Sequence, residues 1–282
     1  MSTLLEITAL GKAFGGLRAV TDLSLALDGG ELLTVIGPNG CGKTTLFNLL
    51  TGHLKVSQGD IRLDGRSILG LPPHQIARLG VGRKFQMPSI YAELTVAENI
   101  RLARQAAALI PLRYQAEGQG DAWAEQAGGD PYAAFLARLG LSEIAGQRAG
   151  TLPHGKKQWL EIAMVLLARP RLILLDEPTA GMTRREKLVA VGLLQDIRSQ
   201  FGAAIIVIEH DMTFVEALGG RVAAMLNGRL VADGDFARVR QNRQLVEAYL
   251  GGAAAGPPAA GHSSDPRPPA PQLSPGDDPS HG

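Results

Sequence analysis

The chain has 282 residues and 45% of them are hydrophobic, which is enough for a globular fold with a buried core. Lys and Arg together number 28 and Asp and Glu 27, so the sequence lacks the basic excess that holds nucleic acid by its phosphates, and we expect no nucleic acid partner. The single cysteine excludes a disulfide within the chain. Every apolar run is too short to cross a bilayer, and "MSTLLEITAL" lacks the pattern of a signal peptide. We therefore expect any membrane role to be peripheral.

The first part of the chain has the pattern of short β-strands separated by glycine. "LLEITAL", "AVTDLSLAL" and "LLTVI" follow one another, and this pattern predicts a small N-terminal antiparallel sheet that leads into a buried strand. Asp64-Gly65 and Asn227-Gly228 supply the residues of tight hairpin turns. Fully apolar runs, "LLTVI", "RLILLD" and "AAIIVIE", alternate with helical stretches, so the expected class is α/β with a mixed core sheet covered by helices on both faces.

Two regions differ in composition from the rest of the chain. Residues 89–170 are rich in alanine and favour helix, which indicates an inserted helical subdomain. Residues 253–282 are rich in Pro, Gly and Ser with almost no large apolar residues, so we expect a disordered tail there. Because no internal repeat is visible, the sequence predicts one domain over residues 1–252.

The segment "GPNGCGKT" matches G-x-x-x-x-G-K-[ST] and stands between the apolar run "LLTVI" and the helical "TTLFNLLTG". In this setting backbone N–H groups surround a phosphate at a helix N-terminus, Lys43 adds a positive charge, and the Thr44 hydroxyl can ligate Mg²⁺. Cys41 needs only to be small at its position, and we interpret it as a packing residue. The predicted nucleotide-binding residues of this segment are Gly37, Pro38, Asn39, Gly40, Cys41, Gly42, Lys43, Thr44 and Thr45.

Acidic and imidazole side chains follow two other apolar runs. Asp176 and Glu177 come directly after "RLILL", and His210 follows "IIVIE". Open α/β sheets bind ligands at the carboxyl ends of their strands, so we expect Asp176 to hold Mg²⁺ through water and Glu177 to orient and deprotonate the attacking water. We interpret His210 as a contact to the γ-phosphate, with a structural, hydrogen-bonded histidine as the alternative. Gln86 stands at a further strand end, where an amide is commonplace.

Together these motifs resemble the ATP-binding cassette of ABC transporters, which has a P-loop NTPase fold. Between about residues 4 and 251 they stand in the family's order: the phosphate loop, "KFQ" as the Q-loop, "LPHGK" in the signature position, "ILLDEP" as Walker B, "AGMT" as the D-loop and "EHD" as the His-switch. The resemblance implies the ABC ATPase fold and hydrolysis of ATP with Mg²⁺. It also implies that ATP is held between the phosphate loop of one subunit and the signature of another.

The same resemblance implies further binding residues. Phe14 would stack on adenine with Val20 nearby, although the residues alone also allow Phe14 to be a core aromatic. The metal ligands would be Thr44, Gln86 and Asp176, and the signature residues acting on the partner's ATP would be Pro153, His154, Gly155 and Lys156. Pro153 replaces a serine and Lys156 a glutamine of the family pattern. We therefore expect a weakened partner site, in which the charge of Lys156 replaces the missing hydroxyl.

Finer likeness points to importers of the branched-chain amino acid and amide group. "HGKKQWLEIAM", "IEHDMTFV" and "LVEAYLG" are most similar to the urea transporter subunit, so the expected solute is urea or a short-chain amide, with branched-chain amino acids as the alternative. The resemblance implies a second, different ATPase subunit, two membrane-spanning permease subunits, an extracytoplasmic substrate-binding protein, and a position on the cytoplasmic face of the plasma membrane. A cluster after the Q-loop would either dock the permeases or pack inside the helical subdomain: Met87, Pro88, Ile90 and Tyr91.

Three other functions remain open on the sequence alone. A cassette protein of translation or DNA repair is disfavoured by the single cassette and the neutral charge balance. A regulatory subunit that binds ATP with weak or no turnover is opposed by Glu177 and His210, but "LPHGK" keeps it open. An ATPase for lipid export shares much of the core pattern.

Overall fold

The structure is a computed structural model that describes residues 3–84, 90–107, 111 and 131–252 and is built around two β-sheets. The strands are β1 (Thr3–Phe14), β2 (Leu17–Asp28), β3 (Leu32–Ile36), β4 (Gln58–Leu63), β5 (Arg66–Ser67), β6 (Val81–Lys84), β7 (Leu172–Asp176), β8 (Ala204–Ile208), β9 (Arg221–Leu226) and β10 (Arg229–Asp235). The helices are α1 (Lys43–Leu50), α2 (Pro73–Arg78), α3 (Val96–Ala107), α4 (Pro131–Arg138), α5 (His154–Leu167), α6 (Arg184–Phe201), α7 (Met212–Leu218), α8 (Phe236–Val239) and α9 (Arg243–Gly252).

The N-terminal sheet has four antiparallel strands in the order β2-β1-β4-β5. Leu5 and Ile7 of β1 and Leu23 and Leu25 of β2 are buried, and the residues between Leu5 and Ile7 and between Leu23 and Leu25 face solvent. This alternation is typical of a sheet with one face on the core. The predicted small antiparallel sheet is therefore confirmed.

The core sheet has six strands in the order β10-β9-β3-β8-β7-β6, and only β10 runs antiparallel to its neighbour. In its register Val35 pairs with Ile208, Asp176 pairs with Ile208, and Lys84 pairs with Leu175. The carboxyl ends of β3, β8, β7 and β6 therefore meet at one edge. The segments that follow these four strands are brought together there, as in other open α/β sheets.

Both predicted hairpin turns form. Asp64 and Gly65 have φ values of 53° and 72°, and Asn227 and Gly228 have values of 49° and 76°. Two successive positive φ angles define the type I′ turn, which matches the twist of the strands it joins. The second turn also reaches the phosphate loop, because the Gly228 N–H donates to the carbonyl oxygen of Cys41 at 2.9 Å.

Each face of the core sheet packs against its own apolar cluster, because side chains alternate along the strands. Ile173, Leu175 and Ile205 pack on one face with α3, α4, α5 and α6. Leu174 and Ile206 pack on the other face with α1 and the N-terminal sheet. Every residue of β3, β7 and β8 is buried, which explains why these runs are apolar without alternation.

Helices α3, α4 and α5 occupy the region predicted to be a helical subdomain. The described part of residues 89–170 contains no β-strand, and Thr95 and Arg148 form an isolated bridge there. Gln86, Met87, Pro88 and the tail 253–282 lie outside the described residues, so their roles stay predictions. Within the described ranges, no helix has the length and apolarity needed to span a membrane.

Candidate functional site

The loop between β3 and α1 is shaped by its glycines. Gly37 and Gly42 have φ values of 150° and 107°. A Cβ on Gly37 would lie 2.2 Å from the carbonyl oxygen of Met225, and one on Gly42 would lie 2.3 Å from that of Ala19. Both distances are far below van der Waals contact, so the loop can lie against β9 and β2 only with glycine at these positions.

Helix α1 begins at Lys43, directly after the glycine at the end of this loop. Its N-cap, Gly42, has no side chain, and no acidic residue stands in the first turn. Free amides and the helix dipole at such a terminus favour an anion. Asn39, Gly40 and Thr44 are exposed, and Pro38 and Thr45 are half-buried.

Lys43 is buried and crosses the loop. Its Nζ donates to the carbonyl oxygens of Gly37 at 2.7 Å and Pro38 at 3.0 Å. Cys41 beside it is also buried, and this burial raises the pKa of the Cys41 thiol although the charge of Lys43 opposes the shift. A thiol that stays protonated is a poor nucleophile, which agrees with a packing role for Cys41.

Glu177 and His210 come together at the carboxyl edge of the core sheet. The Glu177 N–H donates to the Ile208 carbonyl oxygen at 3.0 Å, and His210 Nδ1 lies 3.7 Å from Glu177 Oε1. Their side chains are 30% and 58% exposed, so water reaches both. Glu177 has a φ of 46°, a left-handed conformation that costs free energy and persists only when the surrounding structure holds it.

Asp176 is buried at the end of β7 and pairs with an arginine of the next strand. Arg83 Nη2 lies 3.5 Å from Asp176 Oδ2, and Arg83 Nη1 donates to Asn48 Oδ1 at 2.7 Å and to Thr51 Oγ1 at 3.2 Å. Burial lowers the pKa of Arg83, and the carboxylate of Asp176 opposes that shift. The pair fixes the predicted metal ligand to β6, the strand that leads to Gln86.

These residues fit ATP and Mg²⁺. The glycine cradle leaves no room for side chains but presents amides to phosphate, and Lys43 supplies a positive charge inside it. Thr44 offers an exposed hydroxyl, and Asp176 offers a carboxylate at a strand end two strands away from β3. Hydroxyl, carboxylate and phosphate oxygens are the ligands that Mg²⁺ prefers.

The signature segment forms the N-terminus of α5. Pro153 is the N-cap residue, and its side chain has no polar group to accept from the helix amides. Gln158, one turn into α5, donates from Nε2 to the Ala180 carbonyl oxygen at 2.9 Å and lies 2.9 Å from His154 Nε2. The predicted D-loop, "AGMT", is therefore hydrogen-bonded to the signature helix of the same subunit.

Lys156 forms its hydrogen bonds within this subunit. Its Nζ donates to the carbonyl oxygens of Leu139 at 2.7 Å and Gly140 at 3.3 Å, just after α4. The amine therefore points into the helical subdomain in this structure, and its expected action on a partner's ATP stays a prediction. Gly155 beside it is packed tightly, since a Cβ there would lie 3.0 Å from Glu186 Oε1.

The two residues assigned to the adenine differ in exposure. Phe14 is 46% exposed at the end of β1, and Lys12 Nζ lies 4.9 Å from the centre of its ring. An aromatic in this position is available for stacking, so the alternative of a core aromatic is wrong. Val20 is only 2% exposed and belongs to the core, and its place near the adenine stays a prediction.

Of the predicted docking cluster, the structure describes only Ile90 and Tyr91. Ile90 is half-buried and packs against the apolar cluster of the helices. Tyr91 is 57% exposed, while its backbone is held by Asn99 through hydrogen bonds of 2.8 Å and 3.1 Å. Tyr91 is thus a candidate contact for another chain, and Ile90 is mainly a packing residue.

Three buried polar residues of the site were not predicted. They are Arg83, Gln158 and Glu209, of which Glu209 accepts hydrogen bonds from Thr179 at 3.2 Å and 2.6 Å. A signal existed for Arg83 and Glu209, because each is a charged residue in or directly after a buried strand, and buried charges need partners. Gln158 gave no such signal, since a polar residue on a helix is usually solvated.

The fold and this site together define a P-loop ATPase of the cassette type. The profile of the "ABC transporter" family matches residues 20–180, and the chain belongs to that family. The chain is 38% identical over 258 residues to the high-affinity branched-chain amino acid transport ATP-binding protein BraF of Pseudomonas aeruginosa, a match that covers 89% of this chain and 98% of BraF. It is 37% identical over 257 residues to the LivG protein of Escherichia coli K12, which has the same description, with 89% and 98% covered.

Further relatives agree with the family and the fold. The lipopolysaccharide export system ATP-binding protein LptB of Acidithiobacillus ferridurans is 30% identical over 251 residues, covering 89% of this chain and 98% of LptB. The ADP conformation of MJ1267, an ATP-binding cassette of an ABC transporter, superposes with a TM-score of 0.73 at 26% identity, covering 89% of this chain and 100% of that chain. The predicted ABC ATPase fold is confirmed, and the chain is an ATPase subunit of a transporter that uses ATP and Mg²⁺.

Proposed function

We propose that this chain energises an importer of branched-chain amino acids. The observation that carries the proposal is its 38% identity to BraF over 89% of this chain. The urea or short-amide solute expected from the sequence finds no support in BraF, LivG and LptB, whose names refer to branched-chain amino acid transport and lipopolysaccharide export. The export protein LptB is the more distant of these relatives, at 30% identity.

As the ATP-binding subunit of an ABC transporter, the chain works on the cytoplasmic face of the membrane. We infer that two permease subunits and an extracytoplasmic substrate-binding protein complete the importer. The exposed ring of Tyr91 supports a contact with a permease, because a large exposed aromatic is the kind of residue that anchors interfaces. The predicted neighbours Met87 and Pro88 would extend that contact.

Different residues of the site have different roles in ATP binding and hydrolysis. The amides at the start of α1 and Lys43 bind the phosphates, and Phe14 stacks on the base. Thr44 and Asp176 would hold Mg²⁺, which when bound would supply positive charge for the phosphate oxygens. Glu177 orients water and accepts its proton.

His210 completes the arrangement from the neighbouring strand. Its ring lies 3.7 Å from the Glu177 carboxylate and is exposed on the same edge. A fixed donor there stabilises charge on the γ-phosphate as it develops.

We further propose that the second cassette subunit is a related but different chain. The phosphate loop, Glu177 and His210 of this chain are complete, whereas Pro153 removes the hydroxyl that its signature would offer to the partner's ATP. Lys156 does not compensate, because its amine is held by Leu139 and Gly140. Such a chain suits a pair in which the ATP bound by its own loop is hydrolysed faster.

Uptake by cells tests the solute. We expect deletion of the gene to abolish uptake of labelled leucine, isoleucine and valine and to leave urea uptake unchanged. The wild-type gene should restore uptake, and Glu177→Gln should not, because removal of a general base costs roughly 10²- to 10⁴-fold in rate. Glu216→Gln, an exposed carboxylate of α7, is the matched control and should restore uptake fully. Loss of urea uptake with leucine uptake intact would overturn the proposal.

A further inference from the structure

A chain of buried and partly buried hydrogen bonds connects the strand before His210 to the signature helix. It begins at Glu209, which directly follows β8 and is 1% exposed. Glu209 Oε1 accepts from the Thr179 hydroxyl at 2.6 Å and from the Thr179 N–H at 3.2 Å, and Glu209 Oε2 accepts from the His210 N–H at 3.3 Å. One carboxylate therefore holds both the turn after β7 and the start of the segment after β8.

The chemistry of these three contacts requires a carboxylate. All three partner groups are donors, and an ionised carboxylate is an acceptor at both oxygens. An amide of the same size would turn an NH₂ group toward either Thr179 or His210 and lose the contact on that side. The distance of 2.6 Å to the Thr179 hydroxyl is typical of a hydrogen bond strengthened by charge.

The turn that Glu209 holds continues to the signature helix. The Met182 N–H donates to the Thr179 carbonyl oxygen at 3.0 Å, which closes the turn. Within the turn, the Ala180 carbonyl oxygen accepts from Gln158 Nε2 at 2.9 Å, and the same nitrogen lies 2.9 Å from His154 Nε2. The path from His210 to the signature thus consists of Glu209, the Thr179 turn and Gln158.

We propose that Glu209 is a positioning residue, which holds Glu177 and His210 in register and links them to the signature helix of the same chain. Glu177 adopts its strained φ of 46° two residues before Thr179. Glu209 accepts hydrogen bonds from Thr179, which follows Glu177 by two residues, and from the His210 N–H. It thus holds the backbone next to both of the side chains that lie 3.7 Å apart, Glu177 and His210. Because it touches no reacting group, its loss displaces the groups that carry out hydrolysis and leaves ATP binding intact. The inference rests on the proposed function, since it assumes that Glu177 and His210 carry hydrolysis.

Steady-state ATPase assays of the assembled transporter test the inference. We expect Glu209→Gln to lower kcat roughly tenfold or more while the KM for ATP stays within about twofold, because the effect is on positioning and not on binding. Thr179→Val, which removes the hydroxyl at equal size, should do the same. Thr179→Ser, which keeps the hydroxyl, should retain a kcat within about twofold of wild type.

Controls separate positioning from simple loss of structure. Glu216→Gln, at an exposed carboxylate of α7, should leave both kinetic constants unchanged. A kcat within about twofold of wild type for Glu209→Gln, or an equal loss for Thr179→Ser and Thr179→Val, would overturn the inference.

Hydrogen exchange gives a readout that does not depend on hydrolysis. We expect the amides of Thr179 and His210 to exchange faster in Glu209→Gln than in wild type, while those of β7 remain protected. Unchanged exchange at both amides would overturn the inference. Absence of ATPase activity in the wild-type transporter would instead count against the proposed function, and the exchange result would still decide whether Glu209 holds the turn.

Discussion

Single atoms decide whether the phosphate loop can form. Gly42 combines a φ of 107° with a Cβ position 2.3 Å from the Ala19 carbonyl oxygen, so a side chain there would meet both backbone strain and a clash. Gly65, in the turn between β4 and β5, has a φ of 72° and no atom within 4 Å of its Cβ position among the described residues. Substitution of Gly65 would therefore measure backbone strain alone, whereas substitution of Gly42 would add a steric clash to that strain.

We expect Gly42→Ala to abolish ATP binding and to lower the free energy of unfolding by more than about 2 kcal/mol, because strain and overlap add. Gly65→Ala is the matched control and should cost only about 1 kcal/mol, with ATP binding retained. Denaturant unfolding and equilibrium binding of a fluorescent ATP analogue measure both quantities. Equal losses of stability in the two variants would show that the Ala19 contact does not matter.

At the scale of elements, α7 depends on a charged cap that also contacts α6. Asp211 Oδ1 accepts from the N–H groups of Thr213 at 3.0 Å and Phe214 at 3.2 Å, and Lys187 Nζ of α6 donates to Asp211 Oδ2 at 2.6 Å. The hydrogen bond from Lys187, followed by those from the helix amides, lowers the pKa of Asp211. This carboxylate therefore stabilises the fold while it is ionised.

A carboxylate whose pKa is lower in the folded chain than in the unfolded chain stabilises the fold at pH values above its unfolded pKa. This contribution disappears as the pH falls through its folded pKa. We expect Asp211→Ala to lower the free energy of unfolding by roughly 1 kcal/mol at neutral pH, where the cap is complete. The difference between wild type and Asp211→Asn, which keeps a cap without charge, should shrink as the pH falls below about 4. Denaturant titrations across this pH range measure it, and a difference that grows on acidification would contradict the assignment.

At the scale of the whole molecule, we propose that the signature acts on a nucleotide that a second subunit binds. The Pro153 backbone, with φ of −55° and ψ of 150°, is a conformation that serine also adopts at an N-cap. A serine hydroxyl there would face the same helix N-terminus at which the proposed partner presents its ATP. The substitution therefore acts across the subunit interface.

In the assembled transporter we expect Pro153→Ser to raise turnover of the ATP bound by the partner roughly tenfold, the effect of one hydrogen bond to a charged group. Pro153→Ala removes the proline without adding a hydroxyl and is the matched control. ATPase rates are measured with Glu177→Gln also present in this chain, so that the partner's site dominates the signal. An equal gain with alanine would show that the ring of Pro153, and not the missing hydroxyl, limits the site.

Much of this architecture follows from local sequence. The phosphate loop, the two hairpin turns and the buried strands β3, β7 and β8 were predicted because each depends on residues that are adjacent in the chain. The contacts of Lys156 with Leu139 and Gly140 were not, because they depend on how two helices pack together.

The sequence by itself determined the fold class and predicted Lys43, Asp176 and Glu177 as site residues, because glycine placement and apolar runs are local properties and the order of the motifs can be read along the chain. The tertiary structure alone decided which buried polar groups meet. Lys84 Nζ on β6 lies 3.6 Å from Glu161 Oε2 on α5. Glu209, which follows β8, accepts a hydrogen bond from the hydroxyl of Thr179, which follows the neighbouring strand β7. Such pairs require the strand order and the docking of α5, which no single stretch of sequence contains.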